Sequence, residues 1–572
     1  MKYLGIDIGD GESAITVVSD DGSVIPSVIP LGHTKNIRSI VGDLNEEPII
    51  GDNAVLNAAV VHRSARFKSR FLTDASAQDD IRRFAVGLHK LMRESVKDEQ
   101  LDIALGCPAD WPPEAKQKYA AIITSAGFSD IHTVSESRAA YLYAHYSKEM
   151  KLSKDDLAKP TLVIDIGSST LDYAYIVNGK ERNVGVFGEN HLGGGILDEL
   201  ILNYAVAKSN HAARIREIFE KYPSWKNFCE LTARKIKESY FSHEAEYAEK
   251  ECRGSAPIYA SANEILSLTI SVSGMTVNAL LDQPIDTLQG RSFRAALRES
   301  LESAKAKTAE YPVEQIIMTG GASRMSFFRQ MCEEIFSEAV IFPCPEPEFS
   351  IARGLGIAAY LDNRLKKFRA EVDAYFEIGI VRREVLKHLP SLLNDYVPLV
   401  CKILRRKKWA DDLQACPIDP EDQSALNAFL RQKAEELLSD DTALVEKADQ
   451  FVNAWIGKHM TQVQEGLNSL CDKYQIKKAD MSLVEIHNSI KIDRIRIPSI
   501  VRFLYVQRNA NWFRKILLKI GSGGIVNHAL NSSITKQLKD PHGDFALSLG
   551  HEIKMQLLAQ IDEQIQKVEF NI

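Results

Sequence analysis

Apolar positions along this chain gather into short runs that stop at an acidic residue followed by a turn of small residues. The clearest run is Leu162-Val-Ile-Asp165-Ile-Gly-Ser-Ser-Thr-Leu-Asp172. A continuous apolar strand reaches Asp165, the turn Gly167-Ser168-Ser169-Thr170 follows, and an alternating strand over 171–177 carries Asp172. Near the N-terminus, Leu4-Gly-Ile-Asp7-Ile-Gly9-Asp10-Gly11-Glu12-Ser13 repeats the pattern and leads into a strand over 14–18. Leu, Ile, Asp, Ile and Gly recur in the same order in both stretches. Such turns expose N–H groups to phosphate oxygens, and the carboxylates beside them hold the waters of a divalent cation. Two copies predict a duplicated, two-lobed α/β fold with a nucleotide between the lobes.

The rest of the first two-thirds alternates strands and helices. Asp20-Asp21-Gly22 marks a hairpin turn, and Pro48-Ile49-Ile50 reads as a strand. Arg63-Ser-Ala-Arg66-Phe67-Lys68-Ser-Arg70-Phe71 is a basic patch with two aromatics, read by itself as a solvated helix face. A strand over 101–107 precedes a helix that starts at Pro112-Pro113 and stops near Gly127. A strand over 131–135 meets Glu136 and a helix over 137–146. Glu136 either points into a crevice at the strand end or serves as a helix-start carboxylate favoured by the dipole. The charged segment 148–159 sets a lobe boundary, giving 1–150 and 151–365. His191-Leu-Gly193-Gly194-Gly195 opens a helix and allows close approach of a phosphate or sugar. A largely helical subdomain over about 198–310 contains one strand, 265–272, and a helix over 229–241 with Arg234, Lys237 and Glu238. A strand over 313–318 then meets Thr319-Gly320-Gly321-Ala-Ser-Arg324, a helix to 336, and a last helix over 350–361 with Gly354 and Gly356 for close packing. Arg324 is placed to stack on a planar base or to pair with a phosphate.

Bulk properties narrow the picture. At 572 residues the chain needs several cores, and 45% apolar and 26% charged content is ordinary for packed domains. A net charge of -7 argues against bulk nucleic-acid binding. Eight cysteines without a CxxC pair fit reduced thiols rather than a disulfide framework or zinc site. With no signal-peptide pattern and no membrane-length apolar run, the expected location is cytoplasmic.

Together Gly5-Ile-Asp7-Ile-Gly9, Glu136-Ser-Arg-Ala-Ala140, Asp165-Ile-Gly-Ser-Ser-Thr-Leu-Asp172, His191-Leu-Gly-Gly194 and Gly320-Gly-Ala-Ser-Arg324 resemble the actin-like ATPase superfamily. The likeness is to the DnaK-type, seventy-kilodalton heat-shock chaperones, and it covers roughly residues 1 to 362. It implies RNase-H-like sheets in two lobes and ATP/ADP with Mg2+ in the cleft. It further implies that Asp7 and Asp165 hold the metal through water, and that Glu136 and Asp172 place its water shell and the attacking water. Lys68 would reach the γ-phosphate. Gly9, Asp10 and Gly11 form the first-lobe phosphate turn, and Gly167, Ser168, Ser169 and Thr170 cradle the β- and γ-phosphates. Gly193 and Gly194 lie by the ribose, Gly320, Gly321 and Arg324 hold the adenosine, and Lys237 stands on the adenine-clamping helix. Phosphoryl transfer to water depends on this kind of positioning and charge neutralisation.

The chain departs from that family in three ways. Asp10 and Gly11 stand where two hydroxyls are usual, so a carboxylate near polyphosphate implies slow turnover unless a cation intervenes or Asp10 is turned away. Arg234, Lys237 and Glu238 partly swap the charges of the clamping helix. After about 362 no β-sandwich pattern follows. Helices are predicted instead over 371–395, 396–409, 423–438, 442–474, 498–520 and 544–568, an all-α domain over 366–572. Residues 491 to 520 carry eight basic residues with Phe503, Tyr505, Trp512 and Phe513. They are read as packed aromatics rather than a membrane surface, because the cations do not share one helix face. Gly521-Ser-Gly-Gly524 is a flexible joint before a mobile end, and His528, His542 and His551 lack metal spacing. The reading is a DnaK-like ATPase switch whose nucleotide state is coupled to a protein client or regulatory partner on the helical domain. An actin-like filament former, a small-molecule kinase and a nucleotide sensor with little hydrolysis are the rivals.

Overall fold

The computed structural model describes residues 1–405 with short interruptions, densest within 151–158 and 183–190. Beyond that it describes mainly 454–482 and 544–568, with 425, 432, 451, 535–536 and 540. The helix predicted over 498–520, nearly all of that over 423–438, the cationic stretch 491–520, the joint 521–524, His528 and His542 lie outside the described residues. Two compact units emerge, Met1–Asn363 and Arg364–Ile572.

The first unit is built twice on one plan. Lys2–Ile8 pairs antiparallel with Glu12–Ser19 and parallel with Leu101–Cys107, which pairs parallel with Ile131–Ser135. Thr161–Ile166 repeats this with Leu171–Val177, Gln315–Thr319 and Val340–Pro343. The apolar runs form central strands because both faces are covered: Leu4, Ile6 and Ile8 lie in one core, Leu162, Ile164 and Ile166 in the other. The hairpin register sets Asp165 opposite Asp172.

Helices cover both sheets. Ala75–Ser95 begins at Asp74, whose carboxylate accepts the Ser76 N–H, and buries Ile81, Phe84 and Leu88. Each such side chain contributes about 1.5–3 kcal/mol on burial. Pro113–Ser125 has proline in its first turn and ends just before Gly127 at φ 108°. Pro347–Glu377 packs backbone against backbone: a Cβ on Gly354 would sit 1.7 Å from the Ala139 carbonyl oxygen, and one on Gly5 2.2 Å from that of Ala352. Arg138 donates twice to Asp362, at 2.9 and 2.7 Å. His132 lies between Asp102 and Asp362, at 3.3 and 3.5 Å. Burial opposes its charge, but the two carboxylates prevail and lift it to about 9.

Three expectations need correction. The basic patch is no helix face: Val61–Ala65 is a strand in a three-stranded sheet with Ile40–Leu44 and Glu47–Ile50, and a turn follows. Its two aromatics, Phe67 and Phe71, are buried. The subdomain of the second lobe contains a hairpin rather than a lone strand, because Cys252–Ser261 pairs with Glu264–Val272. In the second unit the break falls at Gly379, φ 77°, and Ile380–Arg405 continues through the break expected at 395/396, with Pro390 and Pro398 inside it.

The elements described in the second unit are all helices. Ile380–Arg405, Thr461–Tyr474 and Asp544–Val568 share a core with the end of Pro347–Glu377, drawing on Phe368, Val385, Leu392, Val463, Leu467, Leu549 and Ile553. Cys107, Cys229, Cys252, Cys332, Cys344 and Cys471 are buried. No helix of the described residues is long and apolar enough to cross a membrane.

Candidate functional site

The strand ends and the two small-residue turns carry the chemistry. Asp7 lies near the end of Lys2–Ile8, Asp165 near the end of Thr161–Ile166, and Asp172 is the second residue of the returning strand Leu171–Val177. Glu136 is the first residue of Glu136–Tyr146, whose N-cap Ser135 accepts the Arg138 N–H at 3.2 Å. Lys68 is held by its neighbours in the turn. Phe67 packs on Phe84 with ring centroids 5.2 Å apart, and Phe71 stacks on Trp111 at 4.7 Å, with Tyr119 edge-on to both Phe71 and Trp111. From this aromatic base the Lys68 ammonium donates to Glu136 and stands 4.0 Å from Asp7.

Burial and like charge set the protonation of this cluster. Burial alone would discharge Lys68, but Glu136, Tyr119 and Asp7 outweigh it and hold the ammonium charged. Asp7 is pushed up to about 7, chiefly by burial, with Lys68 pulling down and Glu136 pushing up. Asp172 rises to about 6 through burial, although the Thr170 hydroxyl donates to it at 2.7 Å. Asp165 lies well above the carboxylate range, from burial and then from Asp172, Glu136 and Asp7. Four carboxylates face one ammonium, an excess of negative charge that suits a hard divalent cation. Among the described residues no three His, Cys, Asp or Glu side chains converge closely enough to ligate a metal directly.

Backbone-lined turns meet beside this cluster. Gly9 N–H donates to Glu12 at 3.1 Å and Gly167 N–H to Thr170 at 3.0 Å, closing equivalent loops. The two loops touch: a Cβ on Gly11 would lie 2.8 Å from that of Ser168. Gly194 and Gly195 donate to the carbonyls of Gly167 and Ser168, and a Cβ on Gly193 would strike Ser168 at 2.5 Å. Gly320, at φ 79°, leaves no room for a side chain against Asp165 Oδ1, whereas the side of Gly321 is open. The Ser169 hydroxyl is buried with no hydrogen-bond partner among the described residues. Asp10 turns its carboxylate to the main chain of Lys68 and Ser69, at 2.9 and 3.2 Å. Lys237 donates to the Gly194 carbonyl at 2.8 Å and pairs with Asp198 at 2.7 Å. Arg324 pairs with Glu348 at 2.8 Å, on the flank of the site.

Residues 88–361 match the family model described as Hsp70 protein. This is a DnaK/Hsp70-like domain. The chain is 26% identical over 356 residues to a chaperone protein DnaK of Thermoplasma volcanium, covering 58% of this chain and 54% of the relative. It is 27% identical over 357 residues to one of Thermosipho africanus, covering 59% and 55%. It therefore spans about half the length of the curated relatives it matches.

Sequence reasoning missed how the halves of this Hsp70-like domain are joined across the glycine turns. Arg234 reaches Glu12 at 2.9 Å and Glu238 at 2.7 Å, and Arg66 reaches Glu230 at 2.9 Å. A signal was present: Glu230 and Arg234 stand four apart on Pro223–Ser242 and so share a helix face. Asp198, the partner of Lys237, carried no local signal at all.

Proposed function

We propose that the chain is an ATP-binding and ATP-hydrolysing switch of the DnaK type, coupled to client or partner binding by its helical C-terminal unit. One observation carries the ATPase reading. Asp7, Lys68, Glu136, Asp165 and Asp172 gather at the meeting point of two glycine turns, and residues 88–361, which hold the last three, match the Hsp70 model.

The residues fit ATP in separable roles. Gly167 to Thr170, with the unpartnered Ser169 hydroxyl, would receive the β- and γ-phosphates, Gly193 and Gly194 the ribose, and Gly320, Gly321, Arg324 and Lys237 the adenosine side. Bound magnesium would neutralise the phosphate oxygens, with Asp7 and Asp165 holding its water shell. Lys68, charged and pre-oriented, would sit against the γ-phosphate and offset charge as it spreads in transfer. Asp172, near neutral in its proton affinity, suits a base that accepts a proton from the attacking water, and Glu136 would orient that water. The elevated carboxylates suit a site that carries strain until cation and nucleotide arrive.

Coupling to the helical unit is drawn from the fused architecture. The second unit has its own core and its described elements are all helices, so the client would be recognised by helices. Amide exchange on the full chain, compared with ATP, ADP and neither, tests this. Nucleotide-dependent protection within 380–405, 461–474 or 544–568 is expected, and identical exchange in all three conditions would refute coupling.

A further inference from the structure

We infer that Asp10 is a positioning residue that fixes the turn carrying Lys68, rather than a group presented to the phosphates. The inference rests on the ATPase reading and deepens it at the first-lobe turn. One oxygen of the Asp10 carboxylate accepts the main-chain N–H groups of both Lys68 and Ser69, 58 and 59 residues along the chain. The turn opens with Arg66 at φ 52°, a left-handed residue of the sort that aims successive N–H groups at one point. The anion filling that nest belongs to the protein. Two further constraints act on the same segment, since Phe67 and Phe71 are buried on either side of Lys68. A long, flexible side chain is aimed well only when its own backbone is fixed. Here the Lys68 N–H is tied to one lobe-I turn while its ammonium is set between Glu136 and Asp7.

This arrangement changes what the unusual residue implies. A carboxylate in place of a hydroxyl argues for electrostatic rejection of polyphosphate, and so for a sensor that binds without turning over. A carboxylate occupied by two N–H dipoles has its charge largely compensated and directed at the protein. The departure from the family pattern then supports turnover through Lys68 instead of opposing it.

The test uses the full chain and two variants. Asp10→Asn keeps an acceptor oxygen, whereas Asp10→Ala removes it. Without nucleotide, exchange of the Lys68 and Ser69 amides is expected to rise about tenfold or more in Asp10→Ala and to stay near wild type in Asp10→Asn. In single-turnover hydrolysis with magnesium and ATP, Asp10→Ala is expected to lose about 10- to 100-fold in rate, with little change in ATP affinity. Asp10→Asn should recover most of that loss. Asp10→Ala should cost little more in the Lys68→Met background, because both changes disable one unit. Faster turnover or tighter ATP binding in both variants would overturn the inference and restore the repulsion account. Unchanged amide exchange in Asp10→Ala would overturn it as well. If the wild type binds no ATP, the ATPase reading fails, and the exchange experiment still decides where Asp10 acts.

Discussion

Replacing Asp7 by asparagine should stabilise the nucleotide-free protein, and do so more strongly as the pH rises. Asp7 titrates near 7 in the fold, against an ordinary aspartate value of 3.8. The folded state therefore holds more protons than the unfolded state between these values. The stabilising contribution of the protonated carboxyl is fully present below pH 4 and is lost as the pH climbs through about 7. A shift of about three units corresponds to about 4 kcal/mol against the charged form. Asparagine escapes that cost, which already includes the opposing pull of Lys68; because relaxation and water penetration soften the burial of a charge, a net gain of about 2 kcal/mol at pH 8 is expected. At pH 4 the two proteins should differ little, because Asp7 is then largely neutral in the folded state and close to its titration midpoint in the unfolded one. Urea unfolding of the full chain at both pH values, with chelator and without nucleotide, reads this directly. Equal or lower stability of Asp7→Asn at pH 8 would refute a crowded, charge-penalised carboxylate cluster.

Other perturbations probe the same architecture. Lys68→Met removes the one ammonium among the four carboxylates; stability at pH 8 should fall by about 3–5 kcal/mol in urea unfolding, and single-turnover hydrolysis by about 10²- to 10³-fold. Gly11→Ala would drive a Cβ to 2.8 Å from that of Ser168, so ATP affinity measured by calorimetry should fall about tenfold, or about 1.4 kcal/mol. Gly354→Ala would bring a Cβ to 1.7 Å from the Ala139 carbonyl oxygen, and a loss of about 3 kcal/mol or more is expected in the unfolding midpoint.

The duplicated sheets were legible because continuous apolar runs ending in Asp7 and Asp165 leave few alternatives to buried central strands. Proline at 113 and glycine at 127 bounded a helix correctly for local reasons of backbone geometry. Lys68 was legible only through the family resemblance. Phe67 and Phe71 stand four apart, a helical spacing, yet a turn and distant rings of Phe84 and Trp111 determine their burial. The strand Cys252–Ser261 escaped notice because small inward residues alternate with Arg253, Ser255 and Pro257. The break expected between 395 and 396 is one that the helix Ile380–Arg405 does not make, while Gly379 supplied one. Ion pairs such as Glu12–Arg234 join residues more than two hundred positions apart. No local pattern announces them, and only the closed fold brings them together.

The central claim is that the cluster at the paired turns hydrolyses ATP. Single-turnover hydrolysis of ATP with magnesium, on the full chain and on Asp165→Asn, tests it most directly. The account predicts bound ATP converted to ADP and phosphate by the wild type, and a rate that collapses in the variant. Absence of ATP binding, or a rate unchanged by Asp165→Asn, would contradict it.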